Sequence, residues 1–195
     1  MEFKHWLAEQ ENTRVKVLAH VAGPSGCGKT TLIEKLVKKH KDVLCRDLDD
    51  FEDAAKTLLG WKDKPPQELT SHTRRLIAIK KQSLLDEFLN HADRPVLLAG
   101  HHKDPSGEHV LVFNTAHRFY MDVPAETCAR RSIQRDDKKL KALGRKVKVR
   151  SKKNMDGAVV RKAKKNQELL VSLRRAGYYP IDEEGVMKWL AKNKS

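Results

Sequence analysis

The residues best suited to chemistry lie in one short run, Gly23-Pro24-Ser25-Gly26-Cys27-Gly28-Lys29-Thr30. It meets every fixed position of G-x-x-x-x-G-K-[ST]. Glycines at those positions let the backbone wrap its N–H groups around phosphate oxygens, where larger side chains would block the approach. Lys29 supplies a point charge for β- and γ-phosphates, and the Thr30 hydroxyl is a magnesium ligand in such a cradle. The pattern predicts a strand before the run, Val15 to Ala22, and a helix after it, Thr30 to His40. That helix adds the positive end of its dipole to the cradle. Phosphate contacts are therefore expected from Gly23, Ser25, Gly26, Cys27, Gly28, Lys29, Thr30 and Thr31, with Cys27 a small residue that fits the loop.

A second group of candidates, Asp47, Asp49 and Asp50, follows a short predicted strand from Asp42 to Arg46. In an open parallel sheet, ligands bind beyond the carboxyl ends of the strands, which is where these acids fall. Phosphoryl transfer to a hydroxyl needs one carboxylate to orient or deprotonate the acceptor and another to hold magnesium or its waters. Asp47 and Asp49 alternate by two, so both face one way if the strand extends that far. The other use of an acid here is to cap the next helix, which suits Asp49 or Asp50. One of the three can cap while another works.

The net charge of +14 is concentrated in one place. Between Arg130 and Arg175 lie eighteen Lys/Arg and four acids, which accounts for the whole excess. The expected partner of that segment is polyanionic: a nucleotide, or nucleic acid. Arg130, Arg131 and Arg135 open it, and arginine suits the stabilisation of phosphoryl charge, whereas most of the later lysines read as a solvated face. His101 and His102 follow the third predicted strand, either as acceptor contacts or as loop residues without chemistry. Arg74 and Arg75 are candidates for an acceptor phosphate or simply exposed. Trp61, Tyr178 and Tyr179 are candidates for stacking on a base, with burial the commoner fate of such residues.

The elements that must position these residues alternate. A short helix is expected from Phe3 to Glu11, and helices from about Phe51 to Leu59 and Leu69 to Asn90, either side of Pro65-Pro66. Further strands are expected at Pro95–Gly100, His117–Val123 and Tyr178–Asp182, with helices after Pro124, from Val159 to Arg175 and from Glu184 to Lys192. Short apolar strands between helices imply a parallel sheet with helices on both faces. The chain's 195 residues suit one compact domain, and no apolar run approaches the ~20 residues of a membrane span. Met1 to Trp6 has no apolar stretch of signal-peptide length, and three scattered cysteines give neither a disulfide framework nor a zinc site. A cytoplasmic protein is expected, with monomer as the default and no membrane partner.

On these residues the chain resembles P-loop kinases of the nucleoside/nucleotide kinase group, adenylate-kinase-like and shikimate-kinase-like. Gly23 to Thr30 resembles their phosphate loop. Asp47-Leu48-Asp49 is similar to the D-x-D of shikimate kinases, and Asp49-Asp50-Phe51 to the D-D-F of uridine and nicotinamide riboside kinases. Cys45-Arg46-Asp47 more loosely resembles the N-R-D-D of polynucleotide 5′-kinases. Tyr120 to Pro124 followed by Arg131-Ser-Ile-Gln-Arg135 is similar to the strand and R-x-x-x-R helix that lead into a kinase lid. The resemblance implies a three-layer α/β/α domain with about five parallel strands over residues 1–195, an acceptor-side helical insertion at about 51–92 and a basic lid at about 131–165. From Arg135 to Val159 the lid's Lys/Arg density, Gly144 and Gly157 suggest poor order without ligand. The resemblance also implies ATP, or GTP, with Mg2+ held by Thr30 and Asp47. Asp49 is the implied base, and Arg131 and Arg135 the implied clamps. Two departures stand out: Ala99-Gly100-His101-His102-Lys103 replaces the D-G-[FY]-P-R of monophosphate kinases, and no acid ends the third strand. The expected acceptor is a small nucleoside, nucleotide or related metabolite. The alternatives are a nucleic-acid 5′-hydroxyl and a non-catalytic nucleic-acid-binding module.

Overall fold

The structure is a computed structural model that describes residues 17–62, 64, 68–101, 111–142 and 152–193. In chain order the elements are β1 (Val17–Ala22), α1 (Lys29–Lys39), β2 (Leu44–Asp47), α2 (Leu48–Leu58), α3 (Ser71–Asn90) and β3 (Val96–Ala99). There follow β4 (Thr115–Met121), α4 (Ala125–Ala142), α5 (Lys152–Arg175), β5 (Tyr179–Ile181) and α6 (Glu183–Asn193). The five strands form one parallel sheet in the order β2-β3-β1-β4-β5, the expected α/β P-loop architecture. Among the described residues no helix is long and apolar enough to cross a membrane. The helix expected over Phe3–Glu11, and Pro65-Pro66, lie outside the described residues.

Contacts gather in two compact units, one of Ile33–His117 with the chain up to His20, the other of Val21–Leu32 with Arg118–Asn193. In the first, β2 and β3 pair in parallel from Leu44↔Val96 to Asp47↔Ala99. All four residues of β3 are wholly buried, as expected of a strand covered on both faces. Leu48, Leu85, Val96 and Leu98 form the core with Val17, flanked by Phe51 and Phe88. Buried within β1, His20 donates from Nε2 to the Gly100 carbonyl at 3.0 Å and meets the Phe113 ring edge-on. Thr70 caps α3 by accepting from the Thr73 amide. Ile77, Lys81 and Leu85, four apart, are that helix's buried stripe.

Lys81 is the exception on that stripe. Its side chain is 9% exposed and its ammonium donates to Glu52 Oε2 at 3.3 Å, while Lys56 donates to Glu52 Oε1 at 2.6 Å. Burial alone would raise the Glu52 pKa. The hydrogen bond from Lys56 and the charge of Lys81 outweigh that and hold it below the ordinary carboxylate value. On the same helix, Gln82 donates to the Val112 carbonyl (3.0 Å) and accepts from its amide (2.9 Å), fixing the segment before β4.

In the second unit β4 and β5 pair in parallel, Phe119↔Tyr179, Tyr120↔Pro180 and Met121↔Ile181. Ala22, Tyr120, Leu170, Leu173 and Tyr178 form one core, and Ala129, Ile133 and Val159 join α4 to α5 in another. Arg174 caps the first by donating from Nε to the Tyr120 hydroxyl at 2.7 Å. The segment expected to lack order, Arg135 to Val159, is helical where it is described. Helix α4 runs on to Ala142 and α5 begins at Lys152, seven residues before the expected Val159. Residues 143–151 lie outside the described residues.

Glu52→Gln is expected to destabilise by about 2 kcal/mol in urea unfolding, because it leaves the buried Lys81 without a counter-charge. Lys81→Met should stay within about 1 kcal/mol of wild type, since it removes the buried charge and keeps the volume. A carboxyl whose folded pKa is lowered stabilises above its unfolded pKa and loses that stability as pH falls through the folded value. Wild type should therefore lose stability with acid more steeply than Glu52→Gln.

Candidate functional site

Strand β1 ends at Ala22, and the glycine-rich run turns directly into α1, whose first bond runs from the Leu32 amide to the Gly28 carbonyl at 2.9 Å. Gly28 has φ +101 and Gly26 φ +89, left-handed values that L side chains rarely adopt. Gly26 has a second reason to be glycine: a Cβ there would lie 2.3 Å from the Cys128 carbonyl oxygen and 3.0 Å from the Ser132 amide. The loop thus rests directly on the backbone of α4.

Lys29, 9% exposed, folds back over the loop. Its ammonium donates to the carbonyls of Gly23 (2.7 Å) and Pro24 (3.2 Å) and to Cys27 Sγ (3.6 Å). The two carbonyls are neutral, so a phosphate oxygen offers a stronger bond between opposite charges in exchange. Thr30 and Thr31 are exposed on the first turn of α1. An exposed hydroxyl beside loop amides suits a magnesium ion, which keeps most of its waters and takes only one or two protein oxygens besides phosphate. Among the described residues no group of three or more His, Cys, Asp or Glu is placed to hold a metal by itself.

Of the three arginines that open the basic segment, Arg135 reaches the loop, donating from Nη2 to Ser25 Oγ at 2.8 Å. Arg131 is exposed on the same helix and makes no hydrogen bond or ion pair among the described residues. Arg130 is held by Glu126 at 2.8 Å, with Asp156 at 3.8 Å. Two residues not singled out from the sequence also converge on the loop. Ser132 Oγ lies 3.0 Å from Ser25 Oγ, and Lys162 of α5 donates to Ser132 Oγ at 2.7 Å. Ser132 sits inside the R-S-I-Q-R run, one residue from Arg131 and three from Arg135, a spacing that marks it as a helix neighbour of Arg135. Lys162 carries no signal that separates it from the other lysines of its segment.

The acids of the first unit are arranged differently from the expectation. Strand β2 ends at Asp47 and α2 begins at Leu48, so Asp49 does not continue the strand and the alternation of Asp47 with Asp49 does not apply. Asp47 is the helix cap, 6% exposed, its Oδ1 accepting from the Asp49 amide at 3.1 Å. Asp49 and Asp50 are exposed in the first turn, where negative charge complements the helix dipole. Gly100, φ +124, ends β3 beside this cap, with room for no Cβ: Asp47 Oδ1 would lie 3.0 Å away and Leu48 Cβ 2.9 Å.

His101 is half-buried and His102 lies outside the described residues. Arg74 donates from Nε to the Leu69 carbonyl at 3.2 Å, and Arg75 is exposed. Trp61 is half-buried, Tyr178 belongs to the core and Tyr179 is 69% exposed. Burial pushes the Cys45 thiol up to about 12. Cys128 is pushed to about 11, by burial and by Cys27, against the opposing charges of Lys29 and Arg131. Neither is a thiolate near neutral pH, so neither is a nucleophile there.

A family model described as an AAA domain matches residues 20–154, from β1 to the start of α5. No curated protein matches the chain. Among solved structures, the shikimate kinase of Acinetobacter baumannii in complex with shikimate is similar over 94% of this chain and 98% of its own, at 14% identity and TM-score 0.51. A gluconokinase from Sinorhizobium meliloti 1021 is similar over 82% of this chain and 98% of its own, at 16% identity and a TM-score of 0.37.

Gly26→Ala is expected to lose at least about 2 kcal/mol of stability and most affinity for ATP, because the loop must lift off α4 to admit the methyl. Gly60→Ala is the control: Gly60 also has a positive φ of +71 but meets nothing within 4 Å. It should cost no more than about 1 kcal/mol and leave ATP affinity unchanged in calorimetric titration.

Proposed function

The chain belongs to the AAA domain family, and from that premise we propose that it moves the γ-phosphoryl group of ATP or GTP to a hydroxyl of a small nucleoside, nucleotide or related metabolite. The observation that carries the reading is the convergence of Lys29 and Arg135 on one glycine-rich loop, the lysine on its carbonyls and the arginine on Ser25. Binding a triphosphate needs the lysine and the loop amides. An arginine from a separate helix is the kind of group that neutralises charge developing on a phosphoryl in flight.

The proposed roles rest on residue type and on the local geometry of each unit. Lys29, the amide of Gly23 and those of Ser25 to Thr31 hold the donor phosphates. Arg135, with Arg131 one turn away, meets the transferring group. Asp49, an exposed carboxylate, orients the acceptor hydroxyl and takes its proton. The Thr30 hydroxyl is the proposed magnesium ligand, and Asp47 is proposed to reach that ion's waters while capping α2. The bound ion supplies positive charge to the β- and γ-phosphate oxygens. The three cysteines, all free and buried, support a reducing compartment, and the cytoplasm is the proposed one, with the chain acting as a monomer.

The basic charge between Arg130 and Arg175 favours a second acceptor, the 5′-hydroxyl of a nucleic acid. Incubation with γ-labelled ATP and magnesium separates the readings. One acceptor pool holds nucleosides, monophosphates and small hydroxylated metabolites, and the other 5′-hydroxyl oligonucleotides. Label is expected in the first pool, lost in Lys29→Ala. Asp49→Asn should lower kcat by about 10²-fold or more and leave ATP affinity unchanged. Label in the oligonucleotides instead makes the basic segment a strand-binding surface. No transfer to either pool, with wild type matching Lys29→Ala, overturns the transferase reading and leaves a phosphate-binding or nucleic-acid-binding module.

A further inference from the structure

We propose that the outward face of helix α5 binds the phosphates of single-stranded nucleic acid. The proposal concerns that face alone and does not depend on which acceptor, if any, receives a phosphoryl group.

Helix α5 sorts its residues by side. Val159, Leu170 and Leu173 are buried, on the side that packs against α4 and Tyr120. With 3.6 residues per turn, Arg161, Lys164, Lys165 and Arg175 fall on the other side, and all four are exposed. Neighbouring cations have partners: Lys162 lies 3.4 Å from Asp136, Arg174 donates to the Tyr120 hydroxyl, and Arg130 of α4 is held by Glu126 and Asp156. Among the described residues the outer four make no hydrogen bond or ion pair. Of the two acids of α5, Asp156 is turned to Arg130, which leaves Glu168 alone among the four outer cations. The positive charge of this face is therefore presented to solvent, where its field draws a polyanion.

The spread of the charge selects among polyanions. Arg161 and Arg175 are fourteen residues apart, about 21 Å along the helix at 1.5 Å per residue. One nucleoside triphosphate cannot touch both ends, whereas a chain of phosphates can. An anionic membrane fits poorly, because the apolar stripe of α5 is buried and the outer face offers a bilayer only Val160 and Val171. The cations sit at uneven steps of three, one and ten residues. A flexible strand can adjust its phosphates to such steps, whereas a stiff duplex holds them in a fixed spiral. Unpaired bases also show their faces to the two exposed valines, and a duplex stacks those faces away. No aromatic residue lies on α5, so the affinity comes chiefly from phosphates and depends little on base sequence.

The test is binding of a labelled single-stranded oligonucleotide of about 12 nucleotides, followed by fluorescence anisotropy without ATP, with the melting temperature of every variant. The face variant carries Arg161→Gln, Lys164→Gln, Lys165→Gln and Arg175→Gln together. It should bind at least about tenfold more weakly at about 0.1 M salt, and its salt slope should flatten by about 0.7 for each cation removed. The control removes the same charge elsewhere, through Lys38→Gln, Lys39→Gln, Lys188→Gln and Lys192→Gln, and should stay within about twofold. Glu168→Gln should tighten binding by about two- to threefold, a gain that loss of structure cannot produce. The face variant should bind ATP as wild type does, and a matching loss of ATP affinity would assign the four cations to the nucleotide site instead. The proposal is overturned if wild type does not bind the strand, if the control loses as much as the face variant, or if Glu168→Gln fails to tighten binding. Tighter binding of a duplex of the same sequence, or capture by phosphatidylserine vesicles in place of the strand, also overturns it. A chain that holds the strand but labels neither acceptor pool loses the proposed transfer and keeps this surface. One that labels small acceptors and ignores the strand does the reverse.

Discussion

The loop's contact with α4 is the constraint on which the rest depends. Gly26 approaches the Cys128 carbonyl so closely that no Cβ fits between them. That approach sets Ser25 within reach of Ser132 and Arg135, one and two turns further along the helix. A looser seat of even an ångström would break hydrogen bonds whose lengths run from 2.8 to 3.0 Å. Backbone packing therefore places the helix that carries Arg135, and its side chain spans the rest of the way to Ser25. Catalytic constellations need this kind of support, because a group held on a packed helix loses little freedom when its ligand arrives.

The same packing gathers like charges. Lys29 sits over the loop on two neutral carbonyls, and Arg135 and Lys162 meet it through hydroxyls, with Asp136 the carboxylate between those last two. Three cations so placed make a positive field that would draw an anion to the loop. Within the 130–175 segment four acids stand among eighteen basic residues, so its charge is not balanced locally.

How much of this was legible in the sequence depended on how local the cause was. The loop was, because backbone wrapping restricts the residue types position by position. So were β1 and β3, since strands covered on both faces need continuous apolar runs and leave no polar alternation to misread. The start of α2 was not. Asp47, Asp49 and Asp50 are equally good caps by residue type, and only the direct passage from strand to helix, with Leu48 wholly buried, selects Asp47. The start of α5 was hidden by Gly157, a residue that weakens a helix but is tolerated here, with Arg161 Nη1 its nearest crowding atom at 3.6 Å. Lys162 was beyond reach because its contacts arise where two helices cross, and no local pattern distinguishes it from its charged neighbours. The roles of Arg131 and Asp49 rest on residue type and exposure.

The pairing of β5 has a consequence for how the molecule behaves in a crowded solution. The Asp122 amide bonds to the Ile181 carbonyl at 2.8 Å, so the polar groups of Ile181 face β4. Successive residues of a strand turn their amides to opposite sides, which points the backbone of Pro180 away from the sheet. Pro180 has no N–H, and β5 is only three residues long and last in the strand order. The middle of that edge therefore offers a would-be neighbouring strand a carbonyl but no donor, and a foreign strand cannot continue the ladder there. A proline that costs the sheet no internal bond makes this side a poor template for aggregation.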